Sequence, residues 1–152
     1  MSLLQTLDGD LKAAMKASDK LKVSVLRMLK SELKYRQIDK GQDLSDEEVL
    51  SVVTTLAKQR RESIEQFSKG GREDLASQER QELLVLNSYL PKQLSAEEIE
   101  KLVLEAIKES AAQGEAEIGK VMRVLMPRIK GVADGKEVNN RVRDLLRASA
   151  QS

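Results

Sequence analysis

Cationic side chains crowd one segment near the C-terminus, and their type and spacing suit the binding of an anion. The segment GKVMRVLMPRIKGVADGK, residues 119–136, contains five lysines and arginines but a single acid, Asp134. Ammonium and guanidinium groups donate charge-assisted hydrogen bonds to phosphate and carboxylate oxygens. Two arginines follow shortly after, so the candidate site comprises Lys120, Arg123, Arg128, Lys130, Lys136, Arg141 and Arg143.

Two interpretations of this segment stay open. Lys120, Arg123 and Lys130 fall off the apolar stripe of the same predicted helix, so they can face either plain solvent or the phosphates of RNA. Phosphate contacts would give an affinity that falls with salt and ignores base sequence. The segment has no aromatic residue, so any RNA contact here should be with shape and backbone, which a folded RNA suits better than a linear motif. The turn KGVADGK, residues 130–136, adds a candidate anion nest of backbone amides.

The sequence lacks the side chains that most catalytic mechanisms require. There is no cysteine and no histidine, which removes thiolate nucleophiles, the usual metal ligands and the commonest general base. Neither GxxxxGK followed by Ser or Thr nor GxGxxG occurs, so no phosphate loop is predicted. The carboxylate pairs Glu47/Glu48 and Glu97/Glu98 each belong to a predicted helix capping box. We therefore expect no catalytic residue, no metal site and no cofactor.

Composition and periodicity predict an all-α fold. Hydrophobic residues make up 40% of the chain and aromatic residues 2%, so Leu, Val, Ile, Ala and Met must build the core. Apolar residues recur every three or four positions, and no segment alternates with period two. A break or kink is expected at Pro127. The predicted helices cover residues 3–15, a second helix capped by Ser18 or Asp19 and ended by Gly41, about 46–68, about 72–88 (with Leu75, Leu83, Leu84 and Leu86), 96–113, 118–129 and about 138–146.

A joint divides these helices into two predicted domains. In YLPKQLSAEE, Pro91 disfavours helix at Leu90, and Ser95 with Glu98 forms a new capping box. We therefore predict helical domains over residues 1–90 and 91–152. Charge is uneven although the chain carries only +1. Residues 11–36 hold eight cations and two acids (+6), residues 91–117 three and seven (−4), and residues 118–147 eight and three (+5).

A second charged cluster lies in KQRRESIEQFSKGGREDL, residues 58–75. Arg60, Arg61 and several acids lie close together in sequence, which fits either a carboxylate or metal site or a structural salt-bridge network. We favour the network because arginines neutralise the acids. Gly70 and Gly71 are expected to supply positive φ at a helix C-cap.

Several strings in this order resemble the YqeY family, the proteins labelled GatB/YqeY domain-containing. They are SVLRMLKSELKYRQID, KQRRESIEQFSKGGREDL, ELLVLNSYLPKQLSAEEIEKLV and IGKVMRVLMPRIKGVADGKEVNNRVRDLL, which span nearly the whole chain. The resemblance implies a larger N-terminal helical domain and a small one similar to the tail of GatB, a subunit of the glutamine-dependent aspartyl/glutamyl-tRNA amidotransferase. In that enzyme the tail belongs to tRNA recognition. The family pattern would place Gly at Arg123 and a basic residue at Val132.

Three functional hypotheses follow from these observations. The first is a non-catalytic module that binds tRNA, or a complex handling aminoacyl-tRNA, through residues 118–147. The second is a carbon–nitrogen ligase with glutamine as amide donor, an activity attached to the family label although no catalytic constellation is visible. The third is an adaptor that binds a helix of a protein partner near residues 90–94. No signal peptide and no 18-residue apolar stretch is present, so we expect a cytoplasmic protein without a membrane partner.

Overall fold

The protein is built from α-helices joined by short turns. The structure, a computed structural model, describes residues 1–150, with the side chains of residues 1–149. Within this range there are seven α-helices, one 3₁₀ turn and no strand, so the predicted all-α class is confirmed. The helices are α1 (Leu3–Lys16), α2 (Lys20–Lys40), α3 (Asp46–Lys69), α4 (Glu73–Asn87), α5 (Ala96–Ser110), α6 (Ile118–Ile129) and α7 (Gly135–Ala150), and the 3₁₀ turn is Glu115–Glu117.

Side-chain caps fix where the helices begin. Ser45 and Glu48 form the predicted reciprocal capping box of α3, since each side chain accepts from the other residue's backbone N–H. Ser95 caps α5 by accepting from the N–H of Glu98, but its hydroxyl donates to the Glu98 carboxylate at 3.1 Å. That carboxylate therefore does not return to the backbone of Ser95, and the second predicted box forms only in half.

Helix ends depart from the sequence expectations at two places. Gly71 has φ +74°, but Gly70 has φ −83°, so only one glycine of this pair needs its conformational freedom. Pro127 lies inside α6, and the helix continues to Ile129. Its missing N–H leaves the carbonyl of Arg123 without its helical partner, a loss that exposed backbone can offset with water.

The chain divides into two compact units, the first comprising Met1–Leu90 and the second beginning at Pro91. Independent folding of each unit stays a prediction. In the first unit α3 and α4 form a long hairpin against α1 and α2. Tyr89, just after α4, donates to Asp10 of α1 at 2.6 Å. The fully buried side chains at its centre are Leu7, Leu26, Leu29, Leu33, Val49, Val53 and Leu86.

The second unit packs α5, α6 and α7 around its own aliphatic core. Its buried residues are Val103, Ala106, Val121, Leu125, Ile129, Val138, Val142 and Leu146. The segment before α5 is held by the turn between α6 and α7. The N–H of Leu94 donates to the carbonyl of Val132 at 2.8 Å, and the Gln93 amide donates to that of Gly131 at 3.0 Å.

Two leucines of α4 test the assignment of the core. Leu86 is fully buried, whereas Leu84, which the same predicted helix carries, is 70% exposed. We expect Leu86→Ala to lower the free energy of unfolding by about 2–5 kcal/mol, because it leaves a cavity. Leu84→Ala should change it by less than about 0.5 kcal/mol. Urea denaturation followed by circular dichroism measures both, and equal losses would contradict this packing.

Candidate nucleic-acid interface

The seven cations predicted as a site all lie on α6, α7 and the turn between them. Six are exposed and Arg143 is half-buried. Their exposure follows from the apolar stripe of each helix, which faces the core and leaves the charged positions outside. Exposure alone does not make them a binding surface, because partners within the protein decide which charges remain available.

Four of the seven cations are neutralised by carboxylates of the same unit. The acids come from α5 and the 3₁₀ turn. The acidic segment 91–117 therefore lies against the basic segment 118–147. The pairs are Lys120 with Glu117, Arg128 with Glu109 at 2.7 Å, Arg141 with Glu100 at 2.8 Å, and Arg143 with Glu115 at 3.6 Å. The predicted basic patch is therefore smaller than the local charge suggests.

These pairs shift the titration of their members. A hydrogen bond from Arg147, which lies 2.8 Å from Glu115, lowers the pKa of that carboxyl. The bond to Glu109 raises the pKa of the Arg128 guanidinium. Because these groups are solvated, each ion pair contributes little to the stability of the fold.

Arg123, Lys130 and Lys136 form no ion pair within residues 1–150; we name them the free cations. All three are exposed. Arg123 and Lys130 are seven residues apart, which places them on one face of α6 about 10.5 Å apart along its axis. Lys136 stands in the first turn of α7, where its own N–H donates to Asp134 at 3.1 Å. These three positions retain the charge that an anion could use.

Gly119 lies on the same exposed face, one turn before Arg123. A Cβ placed there would meet no atom within 4 Å, and its backbone does not have positive φ. Neither packing nor conformation therefore requires glycine at this position. A glycine that the fold does not require leaves the backbone open to close approach by a ligand.

Several donors of the predicted anion nest in residues 130–136 are already used. The N–H groups of Val132 and Ala133 both donate to the carbonyl of Ile129, each at 3.0 Å, and that of Lys136 donates to Asp134. These bonds close the end of α6 and cap α7, so they leave fewer backbone donors for an anion.

The sequence also contains the glycine and lysine spacing of a phosphate loop. Gly114, Gly119 and Lys120 match GxxxxGK, although Val121 stands where Ser or Thr is required. In the structure residues Glu115–Glu117 form a 3₁₀ turn whose acids bind Arg147 and Lys120. These acidic side chains already bind cations and would repel a phosphate. No strand precedes the turn in the described chain, whereas a phosphate loop follows a strand.

Residues 58–75 form ion pairs rather than a cluster of acids. Arg60 bridges Glu79 and Glu82 of α4 at 3.2 and 3.1 Å, and these side chains are only 16–22% exposed. Glu65 pairs with Lys69 at 2.9 Å, as its i, i+4 spacing predicts. In the described residues no group of three or more acids is placed to hold a metal ion. The cluster fastens α3 to α4.

Comparison with known proteins decides the family. A family profile described as Yqey-like protein matches residues 4–146. The chain belongs to the Yqey-like family. This confirms the resemblance noted in the sequence strings.

Curated relatives share the name "Altered inheritance of mitochondria protein 41, mitochondrial". The Candida glabrata protein is 37% identical over 113 residues, covering 71% of this chain and 62% of the relative. The Saccharomyces cerevisiae protein is 30% identical over 122 residues (76% and 66%), and that of Vanderwaltozyma polyspora 41% over 85 residues (55% and 46%). The chain thus spans between about half and two thirds of these relatives' length.

These names contradict the expected cytoplasmic location. The relatives are named as mitochondrial proteins, which points to mitochondria rather than the cytoplasm. The prediction was wrong because a missing secretory signal or membrane span does not distinguish one aqueous compartment from another. Within residues 1–150 no helix combines the length and apolar character needed to cross a bilayer.

The ion pair of Glu115 with Arg147 predicts a measurable shift in the pKa of Glu115. We expect its pKa in the folded protein to lie below the ordinary value and to rise in Arg147→Gln, since that guanidinium favours the charged carboxylate. Stability from this pair should be present above the unfolded-state pKa and lost as the pH falls through the folded-state pKa. Carboxyl ¹³C NMR titration measures the shift. Arg141→Gln, which removes the partner of Glu100, is the control and should leave Glu115 unchanged.

Proposed function

We propose that this Yqey-like protein is a non-catalytic module that binds tRNA through the free cations. The observation that carries the proposal is that Arg123, Lys130 and Lys136 stay exposed and unpaired while the neighbouring cations are neutralised.

The chemistry of the surface favours a phosphate backbone. Every free cation donates hydrogen bonds and none accepts, which matches phosphate oxygens. The chain beyond Tyr89 contains no Phe, Trp or Tyr, so the second unit has no aromatic platform for bases. Such contacts position an RNA by its shape and charge without reading its sequence.

The resemblance to the GatB tail supports tRNA as the RNA. The two departures from the family pattern fit this proposal. Arg123, where glycine is expected, adds a cation to the exposed face of α6. Val132, where a basic residue is expected, is half-buried, and its carbonyl anchors Leu94. Relative to the family pattern, a positive charge is therefore absent from the turn at position 132 and present on α6 at position 123.

Binding of the whole protein to bulk tRNA tests the proposal. We expect Arg123→Gln/Lys130→Gln/Lys136→Gln to lower the slope of log K against log salt by about 2–3, because three phosphate contacts are lost. The matched control is Lys92→Gln/Lys101→Gln/Lys108→Gln, which removes the same charge from exposed positions of the same unit that form no ion pair. Fluorescence anisotropy at low and physiological salt measures both.

Equal losses of tRNA affinity in the two triple variants would show a diffuse effect of charge and would contradict an interface at the free cations. Absence of tRNA binding even at low salt would reject RNA as the ligand. Release of ammonia from glutamine by the purified protein would instead support the carbon–nitrogen ligase hypothesis. The adaptor hypothesis stays a prediction, and loss of a protein partner in Pro91 or Leu94 variants alone would support it.

Gly119→Ala separates stability from binding. Alanine should raise the free energy of unfolding by up to about 1 kcal/mol, because it favours helix and meets open space. We expect tRNA affinity to fall if an RNA backbone approaches this face closely. Thermal unfolding and anisotropy on the same sample measure the two effects, and a stabilised variant with unchanged affinity would place the RNA elsewhere.

A further inference from the structure

The outer face of α2 carries a row of donor groups that no part of the described chain uses. The row repeats at intervals of three and four residues, so its members share one helix face. It begins beside Met15 and ends beside Tyr35. We define the α2 stripe as Lys20, Ser24, Arg27, Ser31 and Lys34, all of which are exposed.

The cations of the stripe are evenly spaced and unpaired. Lys20, Arg27 and Lys34 repeat every seven residues, about 10.5 Å apart, and the row spans about 21 Å. None forms an ion pair within residues 1–150. By contrast, Lys30 binds Asp8 at 2.6 Å and Arg36 binds Glu32 at 3.6 Å, so two other cations of α2 are engaged. Lys12, Lys16 and Lys22 of the same basic segment also form no ion pair in the described residues, but they lie outside this row.

The two serines between these cations are also unused. The hydroxyls of Ser24 and Ser31 make no hydrogen bond in the described structure, whereas Thr54 and Thr55 of α3 donate to the carbonyls of Leu50 and Ser51. The stripe borders two open depressions. One, of about 520 Å³, includes Lys20, Ser24 and Arg27, and the other, of about 330 Å³, includes Ser31 and Lys34.

Tyr35 adds an aromatic surface at the end of the stripe. It is 69% exposed and lines the same depression as Lys34. The other aromatic residues are less accessible, because Phe67 and Tyr89 are half-buried and the Tyr89 hydroxyl binds Asp10. An exposed aromatic ring beside unpaired cations suits stacking of a nucleic-acid base.

We propose that the α2 stripe binds the phosphodiester backbone of an RNA strand and that Tyr35 stacks on an unpaired base of that strand. The inference rests on the proposed function for the class of ligand but adds a separate contact on the first unit. Every group of the stripe donates hydrogen bonds, and phosphodiester oxygens only accept them.

An acidic protein helix or a membrane surface fits the stripe less well. Protein interfaces are anchored by apolar, aromatic or arginine side chains at their centre, and the centre of the stripe, Ser24, Arg27 and Ser31, offers one arginine between two serines and no apolar anchor. Insertion into lipid would need the leucines of α2, and Leu26, Leu29 and Leu33 are buried in the core. Asp8, which lines a depression together with Ser31 and Lys34, is held by Lys30.

The test uses the full chain with a fluorescent single-stranded RNA 15-mer and with tRNA. Lys20→Gln/Arg27→Gln/Lys34→Gln should lower the slope of log K against log salt by about 2 on the 15-mer. Lys12→Gln/Lys16→Gln/Lys58→Gln removes equal charge from exposed, unpaired positions of α1 and α3 and should change it much less. Tyr35→Ala should weaken binding of the 15-mer about tenfold, and Tyr35→Phe less than twofold.

The outcomes separate this inference from the proposed function. If only the free-cation variant loses affinity, the α2 stripe is rejected and the proposed function stands. If only the stripe variant loses affinity, the stripe stands and the proposed interface on α6 and α7 fails. Equal losses in the stripe variant and its control, or poly-glutamate binding as tight as RNA and lost in the stripe variant, would overturn the stripe as an RNA contact. Unchanged binding by Tyr35→Ala would overturn the stacking.

Discussion

Burial of aliphatic side chains is the constraint on which the rest of this structure depends. Aromatic residues make up only 2% of the chain, so each core must be assembled from Leu, Val, Ile and Ala carried on one stripe of each helix. No charged or polar residue is buried in the described chain. Charged side chains therefore stay at least partly exposed, even Arg60, Glu79 and Glu82 between α3 and α4, and the candidate ligand contacts lie on outer faces.

Electrostatic pairing then decides which outer faces remain available. In the second unit, acids of α5 and the 3₁₀ turn neutralise Lys120, Arg128 and Arg141, and leave Arg123 and Lys130 without an acidic partner. In the first unit Lys30 and Arg36 of α2 are paired, whereas the cations of the α2 stripe are not. The same rule acts in both units: a cation beside an acid stabilises the fold weakly, and a cation without one keeps its charge for a ligand.

The family membership and the surface chemistry bear on different questions. Membership in the Yqey-like family, established over residues 4–146, places this chain among proteins named for mitochondrial inheritance in yeasts. Those names do not state a chemical activity. The proposed contact with RNA depends instead on donors, charges and exposed faces that can be changed one at a time.

The sequence by itself determined the all-α class, the positions of the seven helices to within a few residues and most of the core. These features follow from local periodicity and caps, such as Ser45 with Glu48, which need only neighbouring residues. Sequence did not distinguish exposed Leu84 from buried Leu86, and it predicted the wrong sign of φ for Gly70, because exposure and φ depend on how α3 and α4 pack and join. Only the tertiary structure decided which of the seven candidate cations are free. The partners of Arg128 and Arg141 lie 19 and 41 residues away in sequence, and only the packing of helices brings such charges together.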